Sequence, residues 1–242
     1  MSTHENIYDH LHDFLGMDQM DISILEENID SDLQMEYFEC SRKISKFKSE
    51  EEILRDKDNL FDLEMSLDKK KRKLIELASI SSIEAYRTIE KYSKQPNIKL
   101  YHWACLALQQ SRLHLESDLL NESKVLITSA LGGKGLKLRY FIVLFTPYGK
   151  SLDPIQQLII HKEVNYALSQ YNAELEDSVF EGEFASLLCL IPLNIPLQQL
   201  FKSIICECNQ LGNFLYNDFI VTNVKALSNK EIREMLILNN IY

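Results

Sequence analysis

Glycine and proline are scarce, 7 and 5 in a chain of 242 residues, and there is a single tryptophan. A chain so composed, with 45% apolar and 26% charged residues, is neither collagen-like, low-complexity nor wholly disordered. Long apolar runs are missing too. A stretch such as Leu187–Leu193 is far short of the roughly 20 residues that cross a bilayer, so no membrane partner is expected. Met1–Phe14 contains Glu5, Asp9 and Asp13 but no Lys, Arg or apolar leader core, so no secretory signal is expected. The five cysteines (Cys40, Cys105, Cys189, Cys206, Cys208) are odd in number and scattered. That fits reduced thiols in a cytoplasmic protein, not a disulfide framework. Net positive charge is absent as well: 36 acidic residues face 26 basic ones, and residues 1–60 hold 16 and 6 of these, leaving the rest balanced at 20 each. A neutral body has little with which to neutralise phosphates, and the acidic segment repels them, so no nucleic-acid partner is expected.

What is present divides into three stretches. Residues 1–48 read as an acidic N-terminal arm, with Ile7, Leu11, Phe14 and Leu15 on one helical face and a second weak stripe through Ile22, Leu25, Ile29 and Leu33. Residues 49–122 read as helical. Ser49 can cap a helix, Glu52 completes a capping box, and Glu50–Glu52 face the positive helix end. The caps and stripes from Ser49 onward make no use of the arm, so a body lacking it is expected to fold. Lys69–Arg72 with Lys73 is the one basic run; Asp62, Glu64, Asp68 and Glu76 flank it, and a solvated helix face is expected.

From Leu74 to Arg112 the chain carries Ala85-Tyr86-Arg87-Thr88-Ile89, then a turn at Gln95-Pro96, then Leu100, Ala104, Ala107 and Leu108. This pattern resembles a HEAT repeat, with Gln95 where Asp is usual and Tyr101 where Arg is usual. The resemblance implies two antiparallel helices packed through small residues, a unit that must lean on something else to bury its face.

Residues 123–242 follow a different grammar. Lys124–Leu131 reads as a strand, Gly132-Gly133-Lys134-Gly135 as a turn, and Leu138–Phe145 as a strong strand. Asp153-Pro154 opens a helix with the stripe Ile155, Leu158, Ile159, Val164, Ala167, Leu168 and Tyr171. Strands at 174–180 and 184–191, a helix after Pro196 ended by Gly212, a strand at 218–224 and a helix capped by Ser228 and Glu231 complete the chain. The order β-α-β-β-α-β over 138–224 resembles the ferredoxin-like split βαβ fold. The expected class is therefore α+β: a helical HEAT-like region and a ferredoxin-like sandwich with an extra N-terminal strand.

Each chemical motif has a plainer reading. Gly132–Gly135 lacks the spacing, the Ser or Thr and the following helix of a phosphate loop, and suits a hairpin turn. Cys206 and Cys208 point to different sides of a helix, and Cys208 falls on its apolar stripe. His10 and His12 diverge if helical, and His102, His114 and His161 lack partners at motif spacing. No catalytic residue, cofactor or metal ligand is assigned, and no enzyme is expected. The remaining anomaly is the sheet. Tyr140 and Ile142 lie on one face of the strong strand, Phe141 and Val143 on the other, and Leu187 and Leu188 repeat the pattern; both faces are apolar where one should be polar. These six residues are the interaction candidates, the second face being covered by the 50–120 helices or a second copy of the chain. The expected function is non-enzymatic binding or scaffolding, the partner being another protein or the chain itself. The alternative is a metabolite sensor with a polar cluster at Thr146, Asp153, Asn194 and Asn223.

Overall fold

The protein is α+β. The computed structural model describes residues 21–44, 48–121, 124–239 and 241, which fall into two compact units, one within Met20–Thr128 and the other within Ser129–Tyr242. Strands β1 (Asp21–Ile24) and β2 (Lys124–Ile127) bracket the first unit and pair in parallel, Asp21 opposite Lys124 and Ile24 opposite Ile127. Between them run α1 (Ser31–Ile44), α2 (Glu50–Arg55), a 3-10 turn (Lys57–Phe61), α3 (Leu67–Ala78), α4 (Ile83–Ser93) and α5 (Tyr101–Leu120). The Ser49–Glu52 capping box forms as its spacing predicts, Glu52 N–H donating to Ser49 Oγ and Ser49 N–H to the Glu52 carboxylate. Helix α5 ends on Asn121, whose φ of 53° is the left-handed conformation that Asn tolerates. Helices α3, α4 and α5 pack on one another around Leu74, Leu77, Ile89 and Trp103.

Two expectations change here. Leu25, Ile29 and Tyr37, read as part of a dispensable arm, are fully buried in this same core. Lys124–Leu131 is not one strand of the C-terminal sheet: only Lys124–Ile127 is a strand, and its partner lies about a hundred residues earlier in the chain. Local pattern carries no information about a partner so remote.

The second unit is built on β4 (Lys137–Phe145). Strand β6 (Phe184–Pro192) runs antiparallel along one edge, from Lys137 opposite Pro192 to Phe145 opposite Phe184, and β5 (Glu174–Glu181) lies outside it. The other edge of β4 is shared by two short antiparallel strands: β3 (Gly133–Lys134) beside Leu138 and Lys137, and β7 (Phe219–Thr222) beside Phe141–Leu144. Leu131 N–H donates to Asn223 O across 3.1 Å and ties the two together. The glycine turn is thus a hairpin, with Gly135 at φ 59°.

Helices α6 (Pro154–Ser169) and α7 (Leu197–Gln210) pack together, with α6 also against β5 and β6. Asp153 caps α6 by accepting from Ile155 N–H and Gln156 N–H. The opposite face carries an element that the sequence pattern did not assign to it. The terminal helix α8 (Asn229–Leu238) lays Ile232 and Leu236 on Phe141, Val143, Phe145 and Phe184. Arg233 pins it, donating to Glu183 at 2.9 Å and lying 5.4 Å over the Phe184 ring.

Candidate binding surfaces

The six interaction candidates are interior. Tyr140, Phe141, Ile142, Val143 and Leu187 are buried, and Leu188 is partly buried against the core beneath α8. Their apolarity on both faces is explained by one helix layer on each side of the sheet, so they present no free surface. The polar quartet does not converge either. Thr146 and Asp153 follow the C-terminal end of β4, whereas Asn194 follows Pro192, which pairs with Lys137 at the other end. Asn223 follows Thr222, the partner of Phe141. Nine residues of strand at about 3.3 Å each separate the two ends of β4 by about 26 Å. Thr146 Oγ1 is spent on Lys150 O at 2.5 Å and Asp153 on its cap.

Three of the five cysteines, Cys105, Cys189 and Cys208, have little nucleophilic character. Burial pushes the Cys189 and Cys208 thiols up to about 12, with Glu176 and Glu163 adding to it respectively, and burial with Glu27 pushes Cys105 up to about 11. A thiol so raised stays protonated near neutrality, and the thiolate is the reactive form. His161 Nδ1 lies 3.2 Å from Ser178 Oγ, and the His102 ring lies edge-on to Tyr101. His10 and His12 lie outside the described residues. Among those described, no group of three or more His, Cys, Asp or Glu could hold a metal ion, and no helix is long and apolar enough to cross a membrane.

The basic run is only partly the solvated face expected of it. Lys70 and Lys73 are buried, Lys71 bonds Glu36 at 2.8 Å and stands 4.3 Å over the Trp103 ring, and Trp103 Nε1 donates to Lys71 O. Lys48, Arg72 and Lys73 converge on the buried Glu76 at 2.9, 3.1 and 3.3 Å. Burial raises the Glu76 carboxyl, and Lys48 and Lys73 more than reverse this and hold it below the ordinary range. The run therefore braces the first unit.

Three surface features remain. An open polar hollow of about 540 Å³ sits where α3 and α5 end, lined by Ser79, Ser81, His114, Asp118, Asn121 and Lys124. Lys124 is held by Glu116, and the Ser81 hydroxyl donates to His114 O. A groove of about 440 Å³ lies between the 3-10 turn and α4, lined by Asp58, Phe61, Ile83, Glu84, Arg87 and Lys91. The third is the outward side of α6. The helix buries Ile160, Val164 and Leu168, yet Ile155 is 71%, Leu158 53% and Tyr166 67% exposed. The single apolar stripe read from sequence is therefore split between two sides of this helix. Sequence periodicity could have shown the excess, because a helix needs only one apolar side to pack.

No protein-family profile matches the chain, and no curated protein matches it. Among solved structures, a candidate transposase from Deinococcus radiodurans R1 is similar over 46% of this chain and 95% of its own, with 14% identity and a TM-score of 0.36. A likeness that weak carries no argument about this protein.

Proposed function

We propose that the protein is a non-enzymatic interaction or scaffold protein whose partner is another protein or a second copy of itself, acting in the cytoplasm without nucleic acid or membrane. The observation that carries this reading is the exposed apolar row Ile155, Leu158 and Tyr166 on α6. Water-facing apolar side chains at helical spacing on a helix that already has a core side are the composition of a docking surface. The finer architecture belongs to the same proposal. The antiparallel order β5-β6-β4-β7 supports a ferredoxin-like second unit, and the packing of α4 on α5 across Gln95-Pro96 supports a HEAT-like pair in the first.

The test is recovery of partners from extract by full-length protein and by an Ile155→Asp/Tyr166→Asp variant whose folding is verified by circular dichroism. The expected result is a partner, or a second copy, that the wild type holds and the variant loses. Identical recovery by both would remove the reading's main support. The sensor alternative has no converging polar cluster in its favour. A metabolite that raises the melting temperature of the full chain, as linkage requires, would revive it.

A further inference from the structure

The groove between the 3-10 turn Lys57–Phe61 and α4 is chemically two-sided. Its two carboxylates are matched from within the chain: Lys57 Nζ lies 3.2 Å from Glu84 and 3.5 Å from Asp58. Its two other cations, Arg87 and Lys91, are exposed and one helical turn apart, on the same side of α4. Among the described residues neither has a carboxylate partner. Lys91 Nζ instead stands 5.0 Å over the Phe61 ring, which Tyr92 holds edge-on at 6.0 Å. Ile83, at the start of α4, is 56% exposed into the same groove. Thr88 is turned inward, its hydroxyl donating to Glu84 O at 2.8 Å.

We propose that this groove docks an acidic peptide segment of a partner protein, with carboxylates on Arg87 and Lys91 and an apolar side chain against Ile83 and Phe61. The inference rests on the interaction-protein reading and supplies the class of partner. Two cations without a carboxylate partner among the described residues, beside an apolar floor, suit a ligand that alternates acidic and apolar side chains. A polyanion such as nucleic acid is disfavoured, because its evenly repeated phosphates would also meet Asp58 and Glu84, whereas a peptide can set its carboxylates at Arg87 and Lys91 alone and an apolar residue beside them. A carboxylate docking on Lys91 also shares that ammonium with the Phe61 ring, which a cation–π contact tolerates.

The probe is a random-peptide display library selected on the full chain. The strongest selected peptide is then fluorescently labelled and its binding followed by anisotropy. The enriched sequences are expected to place Asp or Glu near Leu, Ile or Phe. Affinity should fall at least about tenfold, equivalent to about 1.4 kcal/mol, in Arg87→Ala/Lys91→Ala, and it should weaken as salt rises. An Ile83→Ser variant should lose affinity with little change in salt dependence. Lys230→Ala, an exposed cation on the other unit, should bind normally. Absence of enrichment, enrichment of sequences without acidic residues, or affinity unchanged by Arg87→Ala/Lys91→Ala would overturn the proposal. So would complete displacement of the peptide by a single-stranded oligonucleotide. Binding lost in Ile155→Asp but kept in the groove variants would overturn the groove while leaving the interaction reading intact.

Discussion

Glu183 shows how one residue can hold an element in place. It sits at the turn between β5 and β6, mostly buried, and receives both Nε and Nη2 of Arg233 at 2.9 Å. Burial pushes its carboxyl up, but the Arg233 guanidinium and the residue's own backbone N–H outweigh burial, so its value lies below the ordinary carboxylate range. A depressed folded-state value adds stability that is present above the unfolded value, near 4.3 for Glu, and is lost as pH falls through the folded value. Wild-type stability should therefore decline on the acid side partly through this pair. Glu183→Gln should be less stable at neutral pH, by no more than about 1 kcal/mol because Arg233 is half in water, and should show a shallower acid decline. Urea denaturation at a series of pH values measures both. Parallel curves for the two proteins would mean that the pair contributes nothing.

Among the elements, α8 is the one whose importance local pattern understates. Its capping box forms as spelled, with Ser228 N–H donating to Glu231 at 2.8 Å. Its length and polarity give no hint that it closes the core. Yet Ile232 and Leu236 are all but fully buried on a sheet face that includes Phe141, Phe145 and Phe184. Ending the chain after Leu227 should expose that face. The expected outcome is strong binding of a hydrophobic dye and concentration-dependent association, read by fluorescence and light scattering. A truncated chain that stays monomeric and binds no dye would show that α8 is not the cover. The edge strand β5 needs no such cover. Its Glu174, Asp177 and Glu181 discourage edge-to-edge pairing, while Glu174 and Glu176 also hold Lys137 and Arg139.

For the molecule as a whole, residues 21–44 of the acidic first quarter are not set apart from the fold. Residues 21–44 supply β1, which pairs with β2, and buried side chains at Leu25, Ile29 and Tyr37. Tyr37 is further tied to α5, its hydroxyl donating to Gln110 at 2.7 Å, with its ring edge-on to Trp103. A chain lacking residues 1–48 should therefore lose cooperative folding of the first unit, the reverse of what the caps from Ser49 onward suggest. Trp103 is the only tryptophan and lies in that unit, so its fluorescence reports on it directly. A sharp urea transition of Trp103 emission in the truncated chain, as steep as in the full one, would restore the arm as dispensable.

Several elements and the starts of their helices were legible in the chain alone. Ser49–Glu52, Asp153-Pro154 and Ser228–Glu231 are satisfied within a few residues of chain, so their hydrogen bonds form wherever the helix is placed. The strands of the second unit were legible for the same reason, as dense β-branched and aromatic runs bounded by turns. What each apolar side chain faces was settled by packing between elements remote in the chain. Phe141 and Ile155 look equally like core in the sequence, and one is buried while the other stands in water. Tyr37 looks like part of an acidic tail and is fully buried. The groove on α4 was invisible because Lys57, Phe61, Ile83 and Lys91 meet only when the 3-10 turn packs on that helix. Hydrophobic burial is non-directional and rewards any partner that excludes water, so a stripe states that a cover exists and the folded chain alone states which element it is.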